Sequence, residues 1–229
     1  MENFQNKYRT QSNRMPCWDY SGKGAYFITI CVNNRDCIFG HVEQDEMILN
    51  DFGKIAHHEW KISAQIRNEI ELDAFVIMPN HIHGIVIIYK SNLDNNIHNT
   101  NHDTHGLHGL HVETHGRASL QKQQKQPQQP NQPKLYRKPK SISSFIAGYK
   151  SSVTTKINNL IEKHVNTHGR AYQQNGRAFQ LVTQKFNRKN RLWQVNYNDH
   201  IIRNDTEYNR TKTYIIENPK KWHQDKFYK

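Results

Sequence analysis

Two apolar runs, ELDAFVIM at 71–78 and HIHGIVIIY at 81–89, meet at the dipeptide Pro79-Asn80. Pro and Asn between apolar runs are turn residues, so the pair reads as two adjacent antiparallel strands. Side chains alternate along a strand, so His81 and His83 share one face, roughly 6.5 Å apart, while Ile82 and Val86 take the other. Apart from its histidines, the second strand is apolar on both faces. Such a strand belongs in the centre of a sheet that is covered on both sides.

The neighbouring segments supply the other elements. GAYFITICVN at 24–33 alternates as a strand, with Tyr26, Ile28, Ile30 and Val32 on one face and Phe27 and Cys31 on the other. CIFGHV at 37–42 is short and is expected as its hairpin partner. Residues 50–68 place Phe52, Ile55, Ile62 and Ile66 at helical spacing behind Asn50 or Asp51, so a helix opens there. A second helix follows from the stripe Ile142, Phe145, Ile146, Tyr149, Val153, Ile157, Leu160 and Ile161, with Ser141 or Ser143 as N-cap. RLWQVNYNDHIIRN reads as an extended segment leading into a last helix, NDTEYNRTKTYIIENP, capped by Asn204 or Asp205 and ended by Pro219.

Between the halves the composition changes. Residues 91–134 contain no aromatic side chain, six histidines and the tract QKQQKQPQQPNQPK. Such a segment cannot bury enough apolar area to offset its ordering entropy, so it is expected to be a disordered insert, and its histidines lack a framework to hold a metal. The polar N-terminus, the short apolar runs and three cysteines without a C-x-x-C pair point to a reduced, cytoplasmic protein without a membrane span.

The net charge of +12 is unevenly spread. Residues 1–90 carry 9 Lys+Arg against 11 Asp+Glu, residues 134–156 carry six basic residues and no acid, and residues 185–229 carry 11 against 5. Basic blocks interleaved with Tyr136, Trp193, Tyr197 and Trp222 suit a nucleic-acid partner, because cations neutralise phosphates and aromatic rings stack on unpaired bases.

Two imidazoles on one face can converge on a cation, but two ligands do not make a site. The last helix offers Tyr214 and Asn218, four residues apart and on one face. Asn supplies an oxygen ligand, and Tyr a phenolic oxygen able to attack a phosphodiester. Tyr149 is the rival nucleophile, but it lies within an apolar stripe and reads as a core residue.

The blocks MPNHIHGIV, SFIAGYKS, LWQVNYNDHIIRN and YIIENPKKW resemble, in this order, those of the REP-associated tyrosine transposases, a group of single-tyrosine HUH transposases. Together with the order of the elements, the resemblance implies an α+β fold, a central antiparallel sheet of HUH type (ferredoxin-like) with helices packed on it, made from residues 1–90 and 135–229, two halves of one domain around the 91–134 insert. It implies that His81, His83 and Asn218 hold Mg²⁺ or Mn²⁺, and that Tyr214 attacks single-stranded or hairpin DNA to give a 5′-phosphotyrosine and a free 3′-hydroxyl. Arg137, Lys138, Lys140, Lys150 and Arg203 would then contact phosphates. Trp193 would stack on a base or pack in the core, and His200 is a candidate helper of Tyr214 or a packing residue. A monomer is expected, with a dimer as the alternative. Two other readings use the same residues: a relaxase or replication-initiator nuclease, and a catalytically silent nucleic-acid-binding regulator.

Overall fold

The main sheet has four antiparallel strands in the order β4-β5-β1-β8. In chain order the elements are β1 (Gly24–Cys31), β2 (Gly40–Glu43), β3 (Glu46–Leu49), α1 (Asp51–Ile66), β4 (Ile70–Ile77), β5 (His81–Ile88), α2 (Ile142–His168), β6 (Tyr172–Gln173), β7 (Leu181–Val182), β8 (Asn198–Ile202) and α3 (Asp205–Glu217). The computed structural model describes Met15 and residues 18–89, 138–168, 172–173, 181–182 and 184–228. The expectation for the 91–134 insert lies outside the described residues. Residues of Met1–Ser91 and Lys138–Lys229 make up one compact unit.

β5, the His-x-His strand, is central, between β4 and β1. Its alternation divides two cores. Ile82, Val86 and Ile88, with Tyr26, Ile28 and Ile30 of β1, face the apolar sides of α1 and α2. Ile85 and Ile87 join Phe27, Ile202, Tyr208 and Ile215 under α3. His81 and His83 lie on this second face, opposite Cys31 and Thr29 of β1.

Local chemistry explains where the helices begin. The Asn50 side chain accepts from the Gly53 N–H at 3.0 Å and donates to the Ile38 carbonyl at 2.8 Å, which caps α1. Ser141 and Ser144 cap α2 reciprocally: the Ser144 N–H donates to Ser141 Oγ, and the Ser141 N–H to Ser144 Oγ. Asn204 caps α3 by accepting from the Glu207 N–H at 2.9 Å. Pro219 does not end the helical path but opens a 3₁₀ turn, Pro219–Gln224, and Asn218 keeps right-handed helical angles before it (φ −56, ψ −41).

One expected pairing differs. Residues 40–43 do not pair with β1 but form their own hairpin with β3. Gln44 and Asp45 take φ of 50 and 64, a tight turn of left-handed residues that Gln-Asp does not advertise as Asn-Gly would. Among the described residues, no helix is long and apolar enough to cross a membrane.

Gly84 is where α1 meets the sheet. A Cβ at this position would stand 2.4 Å from Cζ2 of Trp60, a ring that also packs against Phe75, Phe145 and Tyr149. A side chain on Gly84 therefore has to push α1 away from the central strand. Gly84→Ala is expected to cost about 1–3 kcal/mol of stability by overpacking, read as a lower urea midpoint with unchanged slope; an unchanged midpoint would show that the Trp60 contact is not tight.

Candidate active site

The two histidines are fixed by the turn that precedes them. Asn80 is fully buried, and its amide nitrogen donates to the carbonyls of Arg35 (3.1 Å) and Phe227 (2.7 Å). Its Oδ1 therefore faces His81 Nδ1, 2.9 Å away, and can only accept. His81 thus carries its proton on Nδ1 and keeps a lone pair on Nε2. On β1, Thr29 Oγ1 lies 2.9 Å from His83 Nδ1 and sets the second ring. Oxygen partners on Nδ1 are the usual means of aiming Nε2 at a metal.

α3 supplies the other wall. Tyr208 and Ile215 turn toward the sheet, and Tyr214 stands to their side, 38% exposed, with its ring edge against Phe27. The Tyr214 hydroxyl lies 3.3 Å from His83 Nε2 and 3.5 Å from Asp225 Oδ2. One turn later, Asn218 is buried, and its Nδ2 donates to Asp225 Oδ2 at 3.0 Å. That bond leaves Asn218 Oδ1 without a partner, as His81 Nε2 is.

Asp225 is a member the sequence did not disclose. Donor atoms of His81, His83 and Asp225 all lie within 4.8 Å of one another. The only hint was one acid among Lys220, Lys221 and Lys226, and no periodicity links it to the histidines. Buried polar atoms normally find partners, so two orphans, one on His81 of this cluster and one on Asn218, whose amide nitrogen bonds Asp225, leave a donor set short of an acceptor. Two imidazole nitrogens with amide and carboxylate oxygens fit a divalent cation such as Mn²⁺ or Mg²⁺.

The electrostatics agree with this donor set. Burial drives the pKa of His81 down to about 4, against the opposing pull of Asp225. Burial, then the proximity of His81, pushes His83 well below its ordinary value. Both rings are neutral near pH 7, the state a metal ligand needs. Burial and then the Asp225 charge raise the Tyr214 phenol to about 12, so without a cation it stays protonated.

The other predicted site residues are dispersed. Tyr149 is buried and donates to the Ala56 carbonyl at 2.9 Å, a core residue as expected. Trp193 is only 6% exposed, bonded through its indole N–H to the Lys150 carbonyl and packed on Phe39 and Tyr149. A stacking platform needs an open ring face, so Trp193 is corrected to a core residue. Lys150 spends its ammonium on the carbonyls of Gln194 and Asn196, tying α2 to that loop rather than presenting a cation. Lys138 pairs with Asp19 at 2.8 Å, Lys140 occupies the exposed turn before α2, and Arg203 is exposed after β8. Arg137 lies outside the described residues. His200 sits on β8, on the face of the histidines, with Nε2 paired to Glu207 at 2.5 Å rather than with Tyr214. Exposed basic residues also stand in the turn at 187–190, where Asn187 Oδ1 accepts from the N–H groups of Lys189 and Asn190 and holds Arg188 and Lys189 at the surface.

The molecule is thus an α+β domain in which a buried His-x-His strand faces the helix of Tyr214 beside the His81, His83 and Asp225 cluster. No family model matches the chain. A protein of Haemophilus influenzae whose function is uncharacterised is 28% identical over 223 residues, 96% of this chain and 94% of its own. Among solved structures, a REP-associated tyrosine transposase bound to a REP hairpin aligns with 94% of this chain and 73% of its own, at 16% identity and a TM-score of 0.44. A candidate transposase of Deinococcus radiodurans R1 aligns with 90% and 96%, at 12% identity and a TM-score of 0.33. At these scores the likeness assigns no role to any residue.

Protons compete with a metal for an imidazole only below its pKa. An exposed pair at about 6.5 would lose affinity as pH falls through that value. With both pKa values lowered, His81 to about 4, Mn²⁺ affinity is expected to change little as pH falls from about 7.5 to about 5.5 and to collapse nearer 4. Mn²⁺ titration by electron paramagnetic resonance at several pH values checks this; a steep loss already near pH 6.5 would contradict it.

Proposed function

We propose that this protein is a metal-dependent, single-stranded DNA endonuclease and strand transferase of the transposase type, acting through Tyr214. The observation that carries the reading is the cluster of His81, His83 and Asp225 donor atoms beside the Tyr214 hydroxyl, with His81 Nε2 and Asn218 Oδ1 both buried and unpartnered. A phenol beside two buried neutral imidazoles and a carboxylate, with two polar atoms left unpartnered, has little structural use, since hydrogen-bonded or apolar groups would stabilise the fold better.

His81, His83, Asn218 and Asp225 would hold Mn²⁺ or Mg²⁺. Bound there, the cation would supply Lewis acidity toward a phosphate oxygen and favour the phenolate. The remaining steps belong to the chain. Tyr214 Oη forms a bond to phosphorus as the P–O3′ bond breaks, which gives a 5′-phosphotyrosine and a 3′-hydroxyl. Asp225 Oδ2 is the carboxylate within reach of the phenolic proton. Attack by a 3′-hydroxyl on the phosphotyrosine reverses the step and restores the phenol, so strands are exchanged without an external energy source. Phe27 holds the Tyr214 ring edge-on and limits its swing.

DNA as the partner is supported by the basic second half of the chain and by exposed Arg188, Lys189 and Arg203. The four sequence blocks that resemble REP-associated transposases favour a hairpin of an extragenic palindromic repeat, cleaved near its foot. The solved neighbour with a REP hairpin is described as bound to that same class of DNA. With the helix of Tyr214 packed on its own sheet, a monomer suffices to assemble the site.

With labelled hairpin DNA and Mn²⁺, the parent chain is expected to form a covalent adduct stable on a denaturing gel. Tyr214→Phe should form none while binding the hairpin as tightly as the parent. Adduct that persists in Tyr214→Phe would remove the assignment of the nucleophile. Chelation with EDTA should stop the reaction and added Mn²⁺ or Mg²⁺ restore it; undiminished cleavage in chelator would remove the cation from the reaction.

A further inference from the structure

β4 carries a break in its alternation. Leu72 faces Val86 of β5, but Phe75 faces Gly84, so β4 advances three residues while β5 advances two. The extra residue is a β-bulge at Asp73-Ala74. Leu72 and Phe75 both point toward α1, which leaves Asp73 and Ala74, consecutive in sequence, on the face of α3. A regular strand cannot place two successive side chains on one side. The bulge adds a carboxylate to the α3 face without displacing the apolar residues around it.

That carboxylate is bonded by the backbone of Ala74 beside it and by two side chains of the tyrosine helix. The Tyr208 hydroxyl donates to Asp73 Oδ2, and Lys212 Nζ lies 3.0 Å from Asp73 Oδ1. Tyr208 and Lys212 are one helical turn apart, so a single acceptor grips two successive turns of α3 and fixes rotation about the helix axis as well as distance. Tyr214 follows Tyr208 by six residues, roughly 9 Å along the axis, and Asn218 follows by ten. In a helix of fixed pitch, the angle set at Tyr208 and Lys212 is the angle at which Tyr214 and Asn218 emerge. At the front of α3, Glu207 also pairs with His200 of β8 at 2.5 Å, at the opposite edge of the sheet from β4, so Asp73 is the tie from the β4 side. Farther along, Ile215 packs on Ile85 and Ile202, and apolar contacts permit sliding and rotation that hydrogen bonds do not. Burial tends to raise the Asp73 pKa, but the bonds from Tyr208 and Lys212 outweigh it and hold the carboxyl below its ordinary value, so it is ionised at neutral pH.

We propose that Asp73 is a positioning residue for DNA cleavage: by clamping Tyr208 and Lys212 it sets the rotational register of α3 that brings the Tyr214 hydroxyl to His83 and the Asn218 amide to Asp225 of the donor cluster. The role rests on the reading of Tyr214 as nucleophile. Asp73 is not part of the donor cluster, and acts only through the helix.

The test compares Asp73→Ala, Asp73→Asn and Tyr208→Phe with the parent chain in single-turnover adduct formation at saturating hairpin, hairpin affinity in chelator, Mn²⁺ affinity without DNA, and melting temperature. Asp73→Ala should slow adduct formation by at least about tenfold, because misplacement of about 1 Å is costly to a reaction that depends on alignment. Hairpin affinity should stay within about twofold, since no phosphate contact is lost. Mn²⁺ affinity should fall severalfold because Asn218 rides on the same helix. Asp73→Asn, which keeps an acceptor for Tyr208, should recover part of the rate, and Tyr208→Phe should lose part of it. A purely structural Asp73 would lower the melting temperature while leaving the rate of the folded protein and its Mn²⁺ affinity at parental values, and that result would overturn the proposal. If Asp73→Ala does not fold, Asp73→Asn and Tyr208→Phe decide on the same rate and Mn²⁺ criteria. A parent that forms no adduct with any hairpin removes the nuclease reading itself and the positioning role with it; a parent that reacts while Asp73→Ala reacts equally fast removes only the clamp.

Discussion

Everything at the candidate site depends on the cost of taking two imidazoles out of water. His81 and His83 are buried at the start of the central strand, where desolvation favours the neutral ring. Neutrality alone would leave the tautomer free. Asn80 removes that freedom, because its amide nitrogen is committed to two carbonyls and only its oxygen can meet His81. One of those carbonyls belongs to Phe227, so the same amide binds the turn before β5 to the segment that carries Asp225. A single buried side chain thus couples ring orientation to the arrival of the carboxylate.

The fold was legible where pattern and burial agree. Alternation on both faces of HIHGIVII placed that strand centrally, and the apolar stripe from Ile142 to Ile161 gave the second helix almost residue by residue. The β2-β3 hairpin was hidden because its turn uses Gln44 and Asp45, which reach left-handed angles without the Gly or Asn that usually signals them. Within the site, the face shared by His81 and His83 and the four-residue spacing of Tyr214 and Asn218 follow from period alone. Asp225 lies in an irregular segment beyond a 3₁₀ turn, where no period relates it to anything, so only three-dimensional proximity reveals it. Trp193 and Lys150 show the opposite failure. Aromatic and basic character suggested a DNA surface, but character does not say whether a side chain faces out, and both are used to hold α2 and the 193–196 segment together.

The two faces of the sheet divide their labour. On the side of α1 and α2, large apolar side chains interlock around Trp60, and Gly84 gives that ring its place on the strand. On the side of α3 the apolar cluster is smaller, and polar contacts at Asn204, Asp73 and His83 align the helix. Hydrogen bonds contribute less stability than packing of this extent, but they define direction, and so fix where the Tyr214 hydroxyl stands.

The bulge in β4 has a further consequence at the rim of the sheet. Among the described residues β4 is an edge strand, with an outward row of backbone groups of the kind that can recruit another strand. By giving up regular alternation at Asp73-Ala74, it breaks that row and adds twist and a carboxylate midway along it. A second chain would find no continuous ladder to extend. The distortion that reaches inward to the helix also guards this one edge of the sheet against growing outward.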